Sequence, residues 1–273
     1  MSGSLVIGCG GSGVRVVSSL EAASRTCLTI NWGNGADIDI SLAVPPGSDR
    51  LDPAVVRAAF DASRDRITSA MSGFGEVVLV VSPGGTVANA SLECISAYAR
   101  ESGLRFVGLV TVPFGFEDER RAEVLANLPF YAGLCDRMFV IDLQYSGELT
   151  KLKAFSALEA VDGLTSTVAL LLSGLLGSIP FYSTFVSKVY SLSRGHSDNI
   201  LESYEEAHAN PRFSPDLVGN RIVICTDAPM DDQLSEALQS HVTNKTGSVP
   251  DMIIGKGEGN GITVFVPISL RTE

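Results

Sequence analysis

Residues 5–17 read LVIGCGGSGVRVV, so an apolar run passes through four glycines into a second apolar run. The pattern predicts a strand, a tight turn and a helix. Since glycine has no Cβ, backbone N–H groups in such a turn approach an anion closely, and the helix N-terminus that follows favours negative charge at the same spot. The spacing G-x-G-x-x-G occurs in several nucleotide-binding folds, so the rest of the chain has to decide the ligand. The predicted phosphate-binding residues are Gly8, Cys9, Gly10, Gly11, Ser12 and Gly13.

Strand-like and helix-like segments alternate through the first half of the chain, which is typical of a parallel sheet flanked by helices. This half therefore predicts an α/β, Rossmann-like nucleotide-binding domain. We expect strands over 4–7, 27–31, 38–43, 76–81, 105–110 and 137–141, and helices over 14–23, 53–71, 88–102 and 120–131.

The pattern changes in the second half. The uncharged stretch 163–187 is long enough to cross a bilayer, but its many Ser and Thr residues and Pro180 favour a buried central helix over a membrane span. We then expect a loop over 194–197, helices over 198–209 and 231–242, and strands over 221–226, 251–254 and 262–268, with a glycine-rich hairpin at 255–261. The predicted division is a nucleotide-binding domain over 1–160, a central helix and following loop over 161–187, and a smaller α+β domain over 188–273.

Composition argues against several partners. The net charge of −11, without clustered Lys and Arg, disfavours nucleic acid and an anionic membrane surface. The five cysteines are scattered, with no C-x-x-C pair, and indicate reduced thiols of a cytoplasmic protein. Cys9 lies at a helix N-terminus, where a thiol can have a lowered pKa, although a small buried filler is the simpler interpretation. No metal site held by the protein itself is predicted.

A second glycine loop follows the predicted fourth strand. Residues 82–86 read SPGGT and again lead into a helix. Because loops after parallel strands lie at one edge of a sheet, the two loops would face one crevice and hold a diphosphate or triphosphate from both sides. The next strand leads into PFGFE at 113–117 and then into paired arginines. The candidate phosphate contacts in the second loop are Gly84, Gly85 and Thr86.

In order and separation, these three motifs resemble the FtsZ branch of the tubulin superfamily, which is a prokaryotic cytoskeletal family, and the resemblance covers nearly the whole chain. In that family the residues matching Glu117 and Arg121 reach the nucleotide, the glutamate at the ribose, and Asn31 matches another contacting position. The resemblance implies a tubulin-type fold, GTP or GDP as the ligand and head-to-tail self-association into filaments. It leaves Mg²⁺ open as a companion ion.

The chain departs from the family's pattern in the second loop. The family reads G-G-G-T-G-[ST]-G there, whereas Val87 and Asn89 stand at two of the glycine positions and put a Cβ where backbone should touch phosphate. Near the start of the central helix, Asp162 aligns with the family's base-reading Asn. A carboxylate there can accept hydrogen bonds from the N1 and N2 donors of guanine.

A further departure concerns hydrolysis. In the family, a loop of the form N-x-D-F-A-D presents two carboxylates to the nucleotide of a neighbouring subunit. Thr184 and Ser187 occupy those positions, and a hydroxyl is a poor substitute for a group that polarises water. We therefore expect weak or absent GTP hydrolysis and no catalytic residue in this loop. After Lys188, where the family fits a further strand, we expect only a short loop.

Three functions follow from these patterns. The first is an FtsZ-like protein that binds guanine nucleotide and forms filaments without efficient hydrolysis. The second is a pseudo-GTPase that binds no nucleotide and acts as a scaffold or regulator of another filament, which Val87 and Asn89 favour. The third is an NAD-dependent oxidoreductase built on Gly8, Gly10 and Gly13. It is disfavoured because such enzymes close the second strand with an acidic residue, and that strand ends here at Asn31.

Overall fold

The structure is a computed structural model that describes residues 3–21, 26–33, 35–42, 51–145, 165, 183–209 and 221–270. Within these residues ten strands form one sheet. They are β1 Ser4–Cys9, β2 Cys27–Asn31, β3 Ile38–Asp39, β4 Glu76–Val81, β5 Arg105–Val112, β6 Arg137–Asp142, β7 Val189–Gly195, β8 Val223–Thr226, β9 Asp251–Ile253 and β10 Ile262–Pro267. The helices in the same residues are α1 Gly10–Glu21, α2 Pro53–Ala62, α3 Arg64–Met71, α4 Thr86–Glu101, α5 Asp118–Leu134, α6 Ile200–Ala209 and α7 Asp232–Thr246.

The strand order is β3-β2-β1-β4-β5-β6-β7-β10-β8-β9. All neighbours from β3 to β7 are parallel, and β1 pairs with β4 from Ser4 opposite Glu76 to Cys9 opposite Val81. The first six strands have the order of a Rossmann sheet, which reverses between β1 and β4. The sequence prediction of a parallel, Rossmann-like first half is confirmed.

Both faces of the parallel strands are covered, which explains their continuous apolar sequences. One face packs against α2 to α5, with Phe60, Ile95 and Leu128 fully buried. The other packs against α1 through Val17 and Leu20. The core thus holds the C-terminal ends of β1 and β4 in fixed positions, from which the loops at the crevice begin.

Strand β7 corrects the sequence analysis, which expected only a short loop after Lys188. The glycine and arginine that suggested a loop have structural roles in the strand instead. Gly195 lets α6 approach so closely that a Cβ on it would lie 2.7 Å from the Ala207 nitrogen. The Arg194 guanidinium donates across the sheet to the Asp227 carboxylate, with 3.0 Å from Nη1 to Oδ1.

The hairpin expected at 255–261 is also wrong. Strand β8 lies between β9 and β10, pairing in parallel with the first and antiparallel with the second. The glycines of this segment let the chain cross the end of β8, where Gly257 N donates to Asp227 O at 2.9 Å. A Cβ on Gly255 would overlap the carbonyl oxygens of Thr226 and Asp227.

Several helix boundaries differ from expectation, and two of the differences have a clear physical reason. The helix predicted over 53–71 is divided into α2 and α3 at Ser63, whose φ of −98° and ψ of 1° interrupt the helical geometry. The start expected at Pro53 is confirmed, with the Asp52 carboxylate accepting the Ala54 N–H as an N-cap. Helix α1 begins at Gly10 rather than at residue 14, so most of the first glycine loop forms its opening turn.

The central helix expected after residue 160 lies outside the described residues, apart from the buried Thr165, and so does Asp162. The domain boundaries at 160 and 187 therefore remain predictions. In the part of the chain that the structure describes, no helix combines the length and the apolar character needed to cross a bilayer.

Candidate functional site

The two predicted glycine loops meet at the carboxyl ends of β1 and β4. Parallel α/β sheets bind ligands in the crevice at this point, where the strand order reverses. Gly10, at the start of α1, lies against the second loop's helix, since a Cβ on it would be 3.6 Å from the Ala88 Cβ. The N-termini of α1 and α4 therefore open at one crevice, and both favour an anion there.

The glycines of the first loop have different roles. Gly8 and Gly13 are packing residues, since a Cβ on Gly8 would lie 2.8 Å from the Val17 Cβ and one on Gly13 would overlap the Val80 carbonyl oxygen. Gly10 has a φ of +72°, which favours glycine. Gly11 is exposed, so the surface offered to a ligand is formed mainly by the first turn of α1.

Cys9 is a buried neutral thiol. Burial raises its pKa to about 12, and this outweighs the lowering effect of a hydrogen bond with the Ser91 side chain. The possibility of an activated thiol at this helix N-terminus is therefore wrong. The small buried filler is the correct interpretation.

The second loop is closed by a hydrogen bond to a side chain of the helix that follows it. The N–H of Gly84, which has a φ of +95°, donates to Asn89 Oδ1 at 3.0 Å. The same oxygen accepts the Tyr131 hydroxyl at 3.1 Å, and Asn89 Nδ2 donates to Glu123 Oε1 at 3.2 Å. Asn89 thus accepts the N–H of Gly84, a residue that the sequence analysis predicted to contact phosphate.

Arg120 holds the outer side of the second loop. Its Nε and Nη2 donate to Pro83 O at 3.3 and 3.2 Å, and its Nη1 donates to Glu117 Oε2 at 2.9 Å. A Cβ on Gly84 would lie 2.7 Å from the Arg120 Nε. Sequence reasoning missed Arg120 as a site residue. Its position three residues after Glu117, the residue that precedes α5, was the available signal.

Arg121 is engaged elsewhere at this edge. Its guanidinium donates two bonds to the Asp142 carboxylate, at 2.7 and 2.8 Å, and a third to Pro113 O at 2.6 Å. Asp142 is almost fully buried. The pair connects the 113–117 segment to the end of β6, so Arg121 has a structural role. A nucleotide contact by Arg121 remains a prediction.

The remaining predicted residues lie around the crevice. Asn31 ends β2 and is buried, and Thr86 opens α4, where its hydroxyl donates to Leu51 O at 3.4 Å. In the 113–117 segment, Phe116 is 79% exposed and stacks on Phe114 with ring centroids 5.1 Å apart. The loops and the 113–117 segment predicted to share a site thus come together at one edge of the sheet.

A cavity of about 860 Å³ adjoins the second loop on the side of α2 and α5. Glu93, Glu119 and Glu123 contribute carboxylates to its lining, and Arg57, which is paired with Glu93, contributes the positive charge. The glycines of the first loop do not line it. Gly84, Gly85 and Thr86 also line it, but its carboxylates suit a phosphate poorly, so the crevice by α1 is the better candidate for an anion. No cluster of metal-ligating side chains occurs among the described residues.

Thr184 and Ser187 lie at the opposite edge of the sheet. Their loop, residues 183–188, precedes β7, and Met138 N at the start of β6 donates to Lys188 O at 2.8 Å. The six residues of β6 span about 20 Å, so one molecule cannot bring this loop to its own crevice. Phe185 anchors the loop in a buried aromatic cluster with Phe139, Tyr190 and Phe265.

The curated proteins most similar to the chain include cell division proteins named FtsZ. That of Coxiella burnetii is 36% identical over 73 residues, which are 27% of this chain and 19% of the relative. That of Pseudomonas putida is 29% identical over 131 residues, 44% of this chain and 33% of the relative. That of Haloferax mediterranei is 26% identical over 262 residues, 85% of this chain and 69% of the relative. No protein-family model matches the chain.

Solved structures extend the likeness over the whole chain. An empty FtsZ dimer from M. jannaschii superposes with a TM-score of 0.77 at 20% identity, covering 97% of this chain and 87% of the other. A GTPγS-bound CetZ2 protofilament from Haloferax volcanii gives 0.70 at 14% identity, covering 99% and 94%. A GTPγS-form protofilament of TubZ from Bacillus thuringiensis serovar israelensis gives 0.67 at 11%, covering 97% and 86%. The predicted tubulin-type fold is confirmed.

Proposed function

We propose that this chain is a divergent FtsZ-like protein of the FtsZ/tubulin superfamily and that it binds guanine nucleotide in the crevice between β1 and β4. We propose further that it assembles head to tail into filaments, with weak or absent GTP hydrolysis. The observation that carries the proposal is that the glycine loops and the 183–188 loop lie at opposite edges of the sheet.

The nucleotide is proposed from the crevice itself. Two helix N-termini and the first turn of α1 offer N–H groups to phosphates, and Glu117 stands at the rim, where it can accept from ribose hydroxyls. Guanine is proposed from the GTPγS bound by CetZ2 and from Asp162 as a base acceptor. Mg²⁺ is proposed only as a companion of the phosphates, since the crevice supplies N–H donors rather than carboxylates. We propose a cytoplasmic location, which the five free cysteines support.

Head-to-tail assembly would bring the two edges together. Such a heterologous contact repeats into a filament, and it would put one subunit's 183–188 loop over the next subunit's crevice. That loop carries no carboxylate between Ser183 and Lys188, which supports slow hydrolysis. The protofilaments of CetZ2 and TubZ motivate this arrangement.

Electron microscopy and pelleting of the purified chain with GTP, GTPγS, GDP or no nucleotide, together with phosphate release, test the proposal. We expect filaments that form equally with GTP and GTPγS and persist, because disassembly would need hydrolysis. Rapid phosphate release in the presence of GTP would contradict the loss of hydrolysis. Absence of filaments under every condition would contradict assembly.

A matched pair of α1 variants tests the binding site. Ser12→Glu adds a carboxylate to the first turn, where it should weaken GTP binding by about tenfold or more through repulsion of the phosphates. Ser18→Glu makes the same change on the exposed side of α1 and should leave affinity unchanged. Equal effects of the two variants on titration with fluorescent GTP would argue against the crevice.

The second candidate is a pseudo-GTPase that serves as a scaffold or regulator of another filament. The hydrogen bond from Gly84 N to Asn89 favours it, because it uses a donor that a phosphate would need. This alternative predicts no GTP binding at high micromolar concentration. It also predicts pelleting only in the presence of a second filament protein.

A further inference from the structure

The second loop contains its own acceptor at the point where the proposed phosphates would sit. Gly84 N–H donates to the side-chain oxygen of Asn89 at 3.0 Å, and Asn89 lies in the first turn of α4. An amide oxygen and a phosphate oxygen are both acceptors, so the two compete for this one N–H. The loop is therefore closed by a neutral group that belongs to the chain.

Two neighbours fix the orientation of the Asn89 amide. The Tyr131 hydroxyl donates to Oδ1 at 3.1 Å, and Nδ2 donates to Glu123 Oε1 at 3.2 Å. Burial raises the pKa of Tyr131 to about 12, so its hydroxyl keeps its proton and remains a donor at neutral pH. With a donor on one side and a carboxylate on the other, the amide has its oxygen directed at Gly84.

The surroundings also oppose an anion at this loop. Glu123 lies next to Asn89, and Glu93 and Glu119 line the same adjoining cavity. The positive charge nearest the loop, Arg120, is directed to the Pro83 carbonyl and to Glu117. A phosphate that entered would have to displace the amide against this field.

We propose that Asn89 is an internal competitor of the nucleotide phosphates for the Gly84 N–H, and that it sets the affinity of the crevice. The inference rests on the proposed nucleotide site. It differs from that proposal because it concerns how far the chain itself suppresses binding.

Two substitutions at Asn89 should act in opposite directions. Asn89→Ala removes the acceptor and keeps a good helix former, so GTP and GDP should bind about three- to tenfold more tightly. Asn89→Asp keeps an acceptor for the Gly84 N–H, but it adds a charge and puts a carboxylate oxygen where Nδ2 donates to Glu123, so binding should weaken about tenfold or more. Asn127→Ala is the control, because Asn127 donates to the Glu123 carbonyl within α5, away from the loop.

Amide hydrogen exchange at Gly84 gives a readout that needs no nucleotide. Exchange should accelerate in Asn89→Ala and stay slow in Asn89→Asp and Asn127→Ala. Unchanged exchange at Gly84 in Asn89→Ala would overturn the proposal. Equal nucleotide affinity of that variant and the unmodified chain would overturn it too, as would a failure of both to bind nucleotide. Binding by Asn89→Ala alone would support the inference and overturn native nucleotide binding.

Discussion

At the scale of single residues, the glycines of the first loop divide into packed and exposed positions. Gly8 and Gly13 face each other where β1 meets α1, and their neighbours leave no room for a Cβ. Gly11 faces solvent. A spacing of glycines thus predicts the turn, but the tertiary contacts decide which glycine is structural.

This division makes a stability prediction. Gly8→Ala should lower the free energy of unfolding by about 2–3 kcal/mol or more, because the added Cβ would overlap the Gly13 carbonyl oxygen and backbone cannot move aside cheaply. Gly11→Ala should leave stability unchanged or raise it by about 0.5–1 kcal/mol, because alanine is favoured in a helix. Thermal and urea unfolding measure both, and equal losses for the two variants would contradict the assignment.

The side chains that close the second loop show where sequence reasoning stops at this scale. That Asn89 replaces a glycine of the resembling family was readable from the sequence. Its partners Glu123 and Tyr131 are 34 and 42 residues away, so only the packing of α5 against α4 reveals them. The partner of Arg121 was equally hidden from the sequence, because Asp142 comes near it only through the position of β6 in the sheet.

At the scale of elements, the buried parallel strands were predictable because each is a continuous apolar run. The predictions failed where a residue's role depends on a neighbour in space. Strand β7 contains Arg194 and Gly195, which suggest a loop until the pairing with Asp227 and the close approach of α6 are known. The prediction of a hairpin after β9 failed for the same reason, since β8 lies between β9 and β10.

The position of the 183–188 loop does not depend on the carboxylates that Thr184 and Ser187 replace. Phe185 is fully buried among aromatic rings, and its carbonyl accepts Arg137 Nε at 2.7 Å. Ser187 N donates to the Tyr190 hydroxyl at 2.9 Å. The backbone is therefore held in place while Thr184 and Ser187 remain partly accessible.

Restoring carboxylates should consequently restore chemistry. The double variant Thr184→Asp and Ser187→Asp should raise GTP hydrolysis in assembled filaments about tenfold or more, because an acid can polarise the attacking water. Val186→Asp adds a charge to the same loop, at an exposed position between the two, and should not raise the rate. Phosphate release measures the effect. Filaments of the double variant that hydrolyse no faster would contradict the role assigned to this loop.

At the scale of the whole molecule, exposed charged side chains lie at both edges of the sheet where the strands end. Asp39, Asp118 and Glu119 are exposed at the edge that carries the glycine loops. Arg105 and Lys188 are exposed at the other edge, near the starts of β5 and β7. Exposed charges of the opposite sign lie at both edges as well, Arg15 and Lys256 at the first and Asp136 at the second, so a contact between the edges would depend on individual charge pairs. The proposed head-to-tail stacking would bring Asp39, Asp118 and Glu119 of one subunit toward Lys188 of the next, where unlike charges can pair.

Assembly should therefore depend on salt and on where a charge is placed. Raising the salt concentration from about 0.05 to about 0.5 M should reduce the pelleted fraction, because screening weakens the attraction between exposed charges. Lys188→Glu should raise the critical concentration for assembly, since it would put a negative charge opposite the exposed Asp118 and Glu119 of the next subunit. Lys256→Glu changes the net charge by the same amount, but it lies just beyond β9 at the edge of the glycine loops, so it should not weaken assembly. If both variants shifted the critical concentration equally, net charge rather than the position of the charge would govern the contact, and the head-to-tail arrangement would lose this support.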